Sequence, residues 1–224
     1  MKKIVLGTAQ FSGDYGITRK KNKISKKEVH KILKTLLSKR LNHLDTSYNY
    51  KNSFKKIQNF NFRNWQVTTK LNPARLDFSS EKNLYSSIEK QTHKIKKMLS
   101  VKIIKNLLIR NSNIFLTKKG RLLFNALKKA KKNKLIKNFG YSIYDYNSLK
   151  KIITNYRPDL IQCPYNIIDR RIEDPKIINF LKKRKIKIQA RSIFLQGILL
   201  RTKNKLPKFF NKWKKVFLNF EKLC

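Results

Sequence analysis

Three side chains in this chain have the types and spacing of a proton-transfer site. Leu41-Asn42-His43-Leu44-Asp45 reads as a short apolar strand ending on a carboxylate, and Tyr50 follows five residues later. The next apolar run ends Val67-Thr68-Thr69-Lys70, on an ammonium. Brought together at adjacent strand ends, aspartate, tyrosine and lysine make a proton-donating phenol. The ammonium is expected to lower the tyrosine pKa, and the carboxylate to hold the lysine in place. Such a site protonates or deprotonates a carbonyl or alcohol oxygen. The same residues also allow a plainer reading, with Asp45 capping the next helix, Tyr50 packed on the surface and Lys70 one lysine among many.

The elements that would position these groups follow from hydrophobic pattern. Candidate strands are Ile4–Gly7, Leu41–Asp45, Trp65–Lys70, Ile104–Ile109, Ile136–Ser142, Leu160–Gln162 and Ile188–Ser192. Amphipathic helical patterns lie near Lys26–Lys39, Phe54–Asn59, Glu81–Leu99, Lys118–Lys132, Ser148–Asn155, Pro175–Arg184 and Leu206–Lys222. Ser25 with Glu28 is a capping box, and Pro175 sits where a first-turn proline belongs. Strict alternation of strand and helix implies a parallel sheet. No GxGxxG turn is present, which argues against an open doubly wound sheet. The expected fold is therefore α/β, a TIM (β/α)8-type barrel lacking its eighth β/α unit. Its rim of strand ends would carry Gly7, Asp45, Lys70, Arg110, Ser142, Gln162 and Ser192. A complete barrel takes ~250 residues, and the 224 here are read as one incomplete barrel domain spanning 1–224.

Composition is that of a folded protein, with 40% hydrophobic residues and few Gly and Pro for linkers. The formal charge of +43 suggests a polyanionic partner, yet no zinc-finger or RNA-recognition signature accompanies it. The lysines fall mainly on polar helix faces rather than in one patch, so no specific nucleic acid is expected. Cys163 and Cys224 form no metal-ligand cluster and suit a reducing, cytoplasmic setting. No stretch approaches the roughly 20 apolar residues of a membrane span, and the opening run Ile4-Val5-Leu6 reads as too short for a signal peptide. His30, His43 and His93 read as structural, on helices or inside a strand.

Ordered segments along the chain resemble the aldo-keto reductase family. Gly7-Thr8-Ala9-Gln10-Phe11 with Asp14-Tyr15-Gly16-Ile17 resembles its opening, Asp45-Thr46 with Tyr50 its Asp-Thr-Ala-x-x-Tyr motif, and Thr69-Lys70 its third-strand lysine. Gly140-Tyr141-Ser142 and Ile161-Gln162-Cys163-Pro164-Tyr165-Asn166 with Asp169-Arg170-Arg171 match fifth- and sixth-strand segments. Ala190-Arg191-Ser192-Ile193-Phe194-Leu195-Gln196-Gly197 resembles the seventh-strand loop of bacterial members found near surface-polysaccharide genes. The resemblance implies NADPH-dependent reduction of an aldehyde or ketone (NADH being the alternative cofactor), with Tyr50 as proton donor, Lys70 and Asp45 tuning it, and no metal. By the same matching, Ser142 and Gln162 would hold the nicotinamide carboxamide. Gly7, Arg191, Ser192, Gln196 and Gly197 would line the rest of the cofactor path.

Three departures from the family pattern stand out. Arg110 occupies the place of its fourth catalytic residue, a histidine, and would polarise a carbonyl, grip a substrate carboxylate, or mark a site that no longer turns over. Arg191 replaces an aromatic ring. The eighth strand, which in the family grips the adenosine end of the cofactor, is not among the units read. An open barrel exposes strand edges that invite self-association. The last apolar stripe, Leu206, Phe209, Phe210, Trp213, Val216, Phe217 and Phe220, is expected to pack on the seventh and eighth strands. A carbonyl reductase is thus the first functional expectation. A non-catalytic or fragmentary homologue is the second and a basic polyanion-binding protein the third.

Overall fold

Seven short runs of the chain pair in parallel, each with its neighbour in sequence, to give one curved sheet. The computed structural model describes residues 4–13, 15, 24–200 and 208–223. The strands are β1 (Leu6–Gly7), β2 (His43–Asp45), β3 (Gln66–Leu71), β4 (Ile104–Ile109), β5 (Ile136–Ser142), β6 (Leu160–Pro164) and β7 (Lys187–Arg191), in the order β1 to β7. Between and after them run α1 (Lys26–Ser38), α2 (Lys51–Ile57), α3 (Glu81–Leu99), α4 (Lys119–Lys132), α5 (Leu149–Asn155), α6 (Pro175–Lys183) and α7 (Lys214–Leu223). This is a nearly closed (β/α)8-type barrel lacking one unit, with β1 and β7 as its two edges among the described residues.

Local chemistry accounts for the helix boundaries. The Ser25 hydroxyl accepts from the Glu28 amide, and the Glu28 carboxylate accepts from the Ser25 amide at 2.7 Å, so α1 opens on the capping box expected of it. Asp174 caps α6 at the Lys176 amide, with Pro175 in the first turn. The second helix starts at Lys51 rather than near Phe54, because the chain already turns where the Tyr50 amide donates to the Ser47 carbonyl at 2.9 Å. Tyr50 is thereby fixed as the residue before the helix. Only Leu6 and Gly7 of the expected first strand are paired.

Alternation along the strands sorts side chains into two layers. Leu44, Val67, Leu107, Phe139 and Ile161 point outwards and are buried against Val29, Leu33, Leu84, Ile88, Leu123 and Leu127 of the helices. The inward layer sets a polar chain below Leu108 and Leu160. Asn138 Nδ2 donates to Asn106 Oδ1 at 3.0 Å, and Asn106 Nδ2 donates to Thr68 Oγ1 at 2.9 Å. His43 Nε2 lies 2.9 Å from the same hydroxyl, whose hydrogen is directed at Gln189 Oε1. Burial, reinforced by the Lys105 charge, pushes the His43 pKa down to about 4.

The last helix does not pack on the strands. Phe210 and Phe217 bury themselves with Ile198, against Leu195, Leu199 and Trp213, in a cluster separate from the barrel core. The apolar stripe finds the turn after β7 instead, because that turn presents its own leucines there. Leu206 lies outside the described residues.

Gly140 of β5 has a Leu160 carbonyl oxygen 2.3 Å from where a Cβ would stand, with Leu108 and Leu160 methyls at 2.9 Å. Gly140→Ala should therefore lower stability by about 1–3 kcal/mol or more in urea titration. His43 supplies a pH test. Its folded pKa lies below the ordinary value of 6.5, so the unfolded chain takes up the proton first as pH falls. Stability held by the neutral ring is fully present above about pH 6.5 and is lost towards pH 4, by at most about 3 kcal/mol. His43→Gln should flatten that part of the stability–pH curve.

Candidate active site

The strand ends deliver Asp45 and Lys70 to the same rim from adjacent strands. Lys70 Nζ donates to Asp45 Oδ1 at 2.5 Å, with the lysine side chain only 7% exposed and the carboxylate 15%. The other carboxylate oxygen, Oδ2, accepts from Gln162 Nε2 at 3.1 Å. Asp45 therefore caps no helix, and Lys70 is not a surface lysine. The carboxylate holds the lysine in place, as its spacing implied, and it orients a glutamine from across the barrel as well.

Tyr50, half-buried, has Asp45, Tyr15, Tyr144 and Arg110 as its electrostatic neighbours. Its hydroxyl makes no hydrogen bond among the described residues. The expectation of a lowered tyrosine pKa is overturned: burial raises it well above the ordinary phenol value, and the Asp45 charge pushes the same way. Arg110 pulls it down but does not prevail. Burial of the phenol outweighs the one cation that pulls the other way. The phenol is thus kept as a donor.

Beside it the rim presents unsatisfied polar atoms. Ser142 Oγ at the end of β5, Gln162 Oε1 on β6 and Arg191 Nε on β7 are buried without a partner. A buried donor and acceptor left unmade cost about 1–3 kcal/mol each, so such atoms invite a ligand. A primary carboxamide fits them, since its oxygen can accept from Ser142 and its nitrogen can donate to Gln162. Gln162 cannot swap its amide ends freely, because its nitrogen is held by Asp45. Gly7 leaves open space where a side chain would stand.

The turn after β7 is held in unusual backbone. Ser192, Leu195 and Gln196 take left-handed φ of 58°, 46° and 57°, and Gly197 takes 92°. Left-handed backbone at non-glycine residues costs of order 1–3 kcal/mol and clusters at functional loops. Gln10 Nε2 donates to the Gln196 carbonyl at 3.2 Å, and Asn166 Nδ2 to that of Ser192 at 3.2 Å. The Arg191 guanidinium lies 4.3 Å over the Tyr144 ring and donates to the Ile143 carbonyl, so it is stacked in place rather than mobile.

Arg110 ends exposed at the fourth-strand rim beside Tyr50. Sequence reasoning assigned no role to Tyr15, Tyr144 or Asn166. Tyr144 carries a signal in hindsight, two residues beyond Ser142 at a strand end, and Asn166 binds two backbone amides as well as the β7 turn. His30 and His93 sit on α1 and α3, away from the rim. Among the described residues no cluster of metal-ligating side chains exists, and no helix is long and apolar enough to cross a membrane.

Solved structures share this fold. The chain aligns with the holo form of the aldo-keto reductase AKR11C1 from Bacillus halodurans at 20% identity and a TM-score of 0.63, over 83% of this chain and 62% of that one. The glycerol dehydrogenase AKR11B4 from Gluconobacter oxydans gives 20% identity and 0.62, over 93% and 64%. The aldo-keto reductase AKR2E4 from Bombyx mori, in complex with NADP, gives 16% and 0.60, over 86% and 62%. The chain thus spans less than two thirds of the length of each of these relatives. No curated protein sequence matches it. The family model for aldo/keto reductases matches residues 3–223, nearly end to end. The chain belongs to the aldo/keto reductase family.

Proposed function

We propose that this chain is an NAD(P)H-dependent carbonyl reductase in which Tyr50 gives its proton to the oxygen of an aldehyde or ketone. The observation that carries the reading is a phenol held protonated beside a buried Lys70–Asp45 pair 2.5 Å apart. A reduced nicotinamide, when bound, supplies the hydride that the protein lacks. Ser142 and Gln162 are suited to hold its carboxamide, with Gln162 oriented by Asp45. Arg191, Ser192, Gln196, Gln10 through Gln196, and the bare backbone at Gly7 are suited to line the remainder of the cofactor path.

Tyr50 moves the proton. As negative charge develops on the carbonyl oxygen, a neutral phenol within hydrogen-bond reach donates to it, and Lys70 with Asp45 keeps the local field fixed while it does so. Arg110 stands beside that oxygen's position as a permanent cation, suited to polarise a carbonyl or to grip a substrate carboxylate. Tyr15 and Tyr144 wall the approach.

The test begins with binding of NADPH, and of NADH alongside, followed by quenching of Trp65 and Trp213. Saturable binding is expected. With a panel of aldehydes and ketones, Tyr50→Phe should lower turnover at least ~100-fold while leaving cofactor affinity within about threefold. Persistent turnover in that variant would sink the assignment.

A second reading, a binding protein on a reductase scaffold, is favoured by Arg110 standing where the family places its histidine. It expects NADPH binding with no turnover, and the appearance of carbonyl reduction in Arg110→His. Robust activity of the native chain would exclude it.

A further inference from the structure

The alternation that gathers the candidate active site at one rim gathers every helix-to-strand junction at the other, and charge is shared unevenly between the two. Each of those junctions carries an exposed cation (Arg40, Arg63, Lys102, Lys134, Arg157 and Lys185), with Asp159 the one acid among them. Asp159 is already taken by Lys131 at 2.5 Å. The strand-to-helix side holds Asp77, Asp145, Asp169, Glu173 and Asp174, several of them serving as caps or ion-pair partners. The lysines do run along the helix faces, but the acids do not follow them to the far rim.

That rim has a groove of about 380 Å3 between the segment before β3 and the carboxyl end of α3, lined by Arg63, His93, Lys96, Lys97 and Lys102. None of its lysines or its arginine meets a carboxylate among the described residues. We propose that this face binds duplex nucleic acid, one strand of its phosphate backbone lying over that shallow groove, without reading sequence.

A helix end attracts cations, so these residues need an account beyond α3. The end of a helix offers about half a negative charge, and the groove sets four basic side chains against it. A large positive excess remains. The same excess is felt deeper in this rim, where Lys137 and Lys187 add to burial in pulling the Lys105 pKa below the ordinary lysine value. Phosphates arriving there relieve a repulsion that the fold leaves uncompensated, with release of their own counterions.

The occupant follows from the lining. No tyrosine, phenylalanine or tryptophan lines the groove, so unstacked bases find no platform, which disfavours single strands. A lipid surface gains from apolar side chains that insert, and Val101, the one apolar residue of the lining, is buried. A regularly charged duplex backbone matches both facts.

The experiment is fluorescence anisotropy of a short mixed-sequence DNA duplex with the full chain at near-physiological salt. Two triple variants carry the same change of net charge. One reverses the groove (Arg63→Glu, Lys97→Glu, Lys102→Glu), and the other reverses exposed lysines in the first turns of α3, α5 and α6 (Lys82→Glu, Lys150→Glu, Lys176→Glu). The groove triple should weaken binding at least ~10-fold and cut the slope of log affinity against log salt by roughly 2–3. The other triple should change affinity less than about threefold, since it contacts no phosphate. Equal losses would overturn the proposal, because net charge alone would then explain the attraction. So would tighter binding of a single strand, or duplex binding too weak to detect beside groove-dependent binding to phosphatidylserine vesicles. The neutral triple Arg63→Gln, Lys97→Gln, Lys102→Gln, shown folded by its thermal unfolding, should also lose affinity; unchanged binding would count against the site.

Discussion

Burying an ammonium costs several kcal/mol unless an anion meets it at hydrogen-bond distance, and in this barrel that requirement falls on Asp45. Its two oxygens are divided between Lys70 and Gln162. The first contact gives the buried ammonium its anion, while burial of the phenol governs Tyr50. The second fixes which end of the Gln162 amide faces the mouth, leaving an acceptor unsatisfied there. Removing either member of the pair would strand the other in a site that cannot solvate it. Three strands are thus tied at their ends by one carboxylate, and the polarity of the whole mouth is set by it.

Much of this was readable before any coordinates. The alternation of apolar runs and amphipathic segments located the strands to within a few residues, because barrel strands are short and flanked by polar turns. Ser25 and Glu28 marked a helix start that exists. Asp45, Lys70, Ser142 and Gln162 were placed at strand ends, and strand ends share a rim in a parallel barrel. What resisted was anything that depends on who neutralises whom. The direction of the Tyr50 shift turned on how far the phenol is buried and on Asp45 lying near it, which spacing does not reveal. The early start of α2 depended on a turn at Ser47. The partner of the last helix turned on where the chain after β7 folds back, and a helical stripe records that it has a partner without saying which.

The polar lining of the barrel was hidden for a different reason. Thr68, Asn106 and Asn138 each have one apolar neighbour, Val67, Leu107 and Phe139, as they would on a strand with one face in water. Here Val67, Leu107 and Phe139 lie outside, under the helices, and Thr68, Asn106 and Asn138 inside. A slip of one residue in any strand would exchange the two faces, breaking the Thr68–Asn106–Asn138 chain and exposing leucine and phenylalanine to it. Asparagine inside a barrel is a poor source of raw stability and a good specifier of register, since a half-satisfied network is worse than none.

The satellite cluster at α7 links parts of the molecule that share no chemistry. Its buried members come from the helix and its preceding turn on one side and from Ile198 on the other, with Leu195 and Leu199 against them. Those leucines bracket Gln196 and Gly197, whose left-handed backbone shapes the rim. The conformation of the loop and the docking of the helix are therefore one equilibrium. By thermodynamic reciprocity, any ligand that binds the ordered loop must tighten the docking of α7. A solvent, salt or mutation that loosens α7 must weaken that ligand by the same factor.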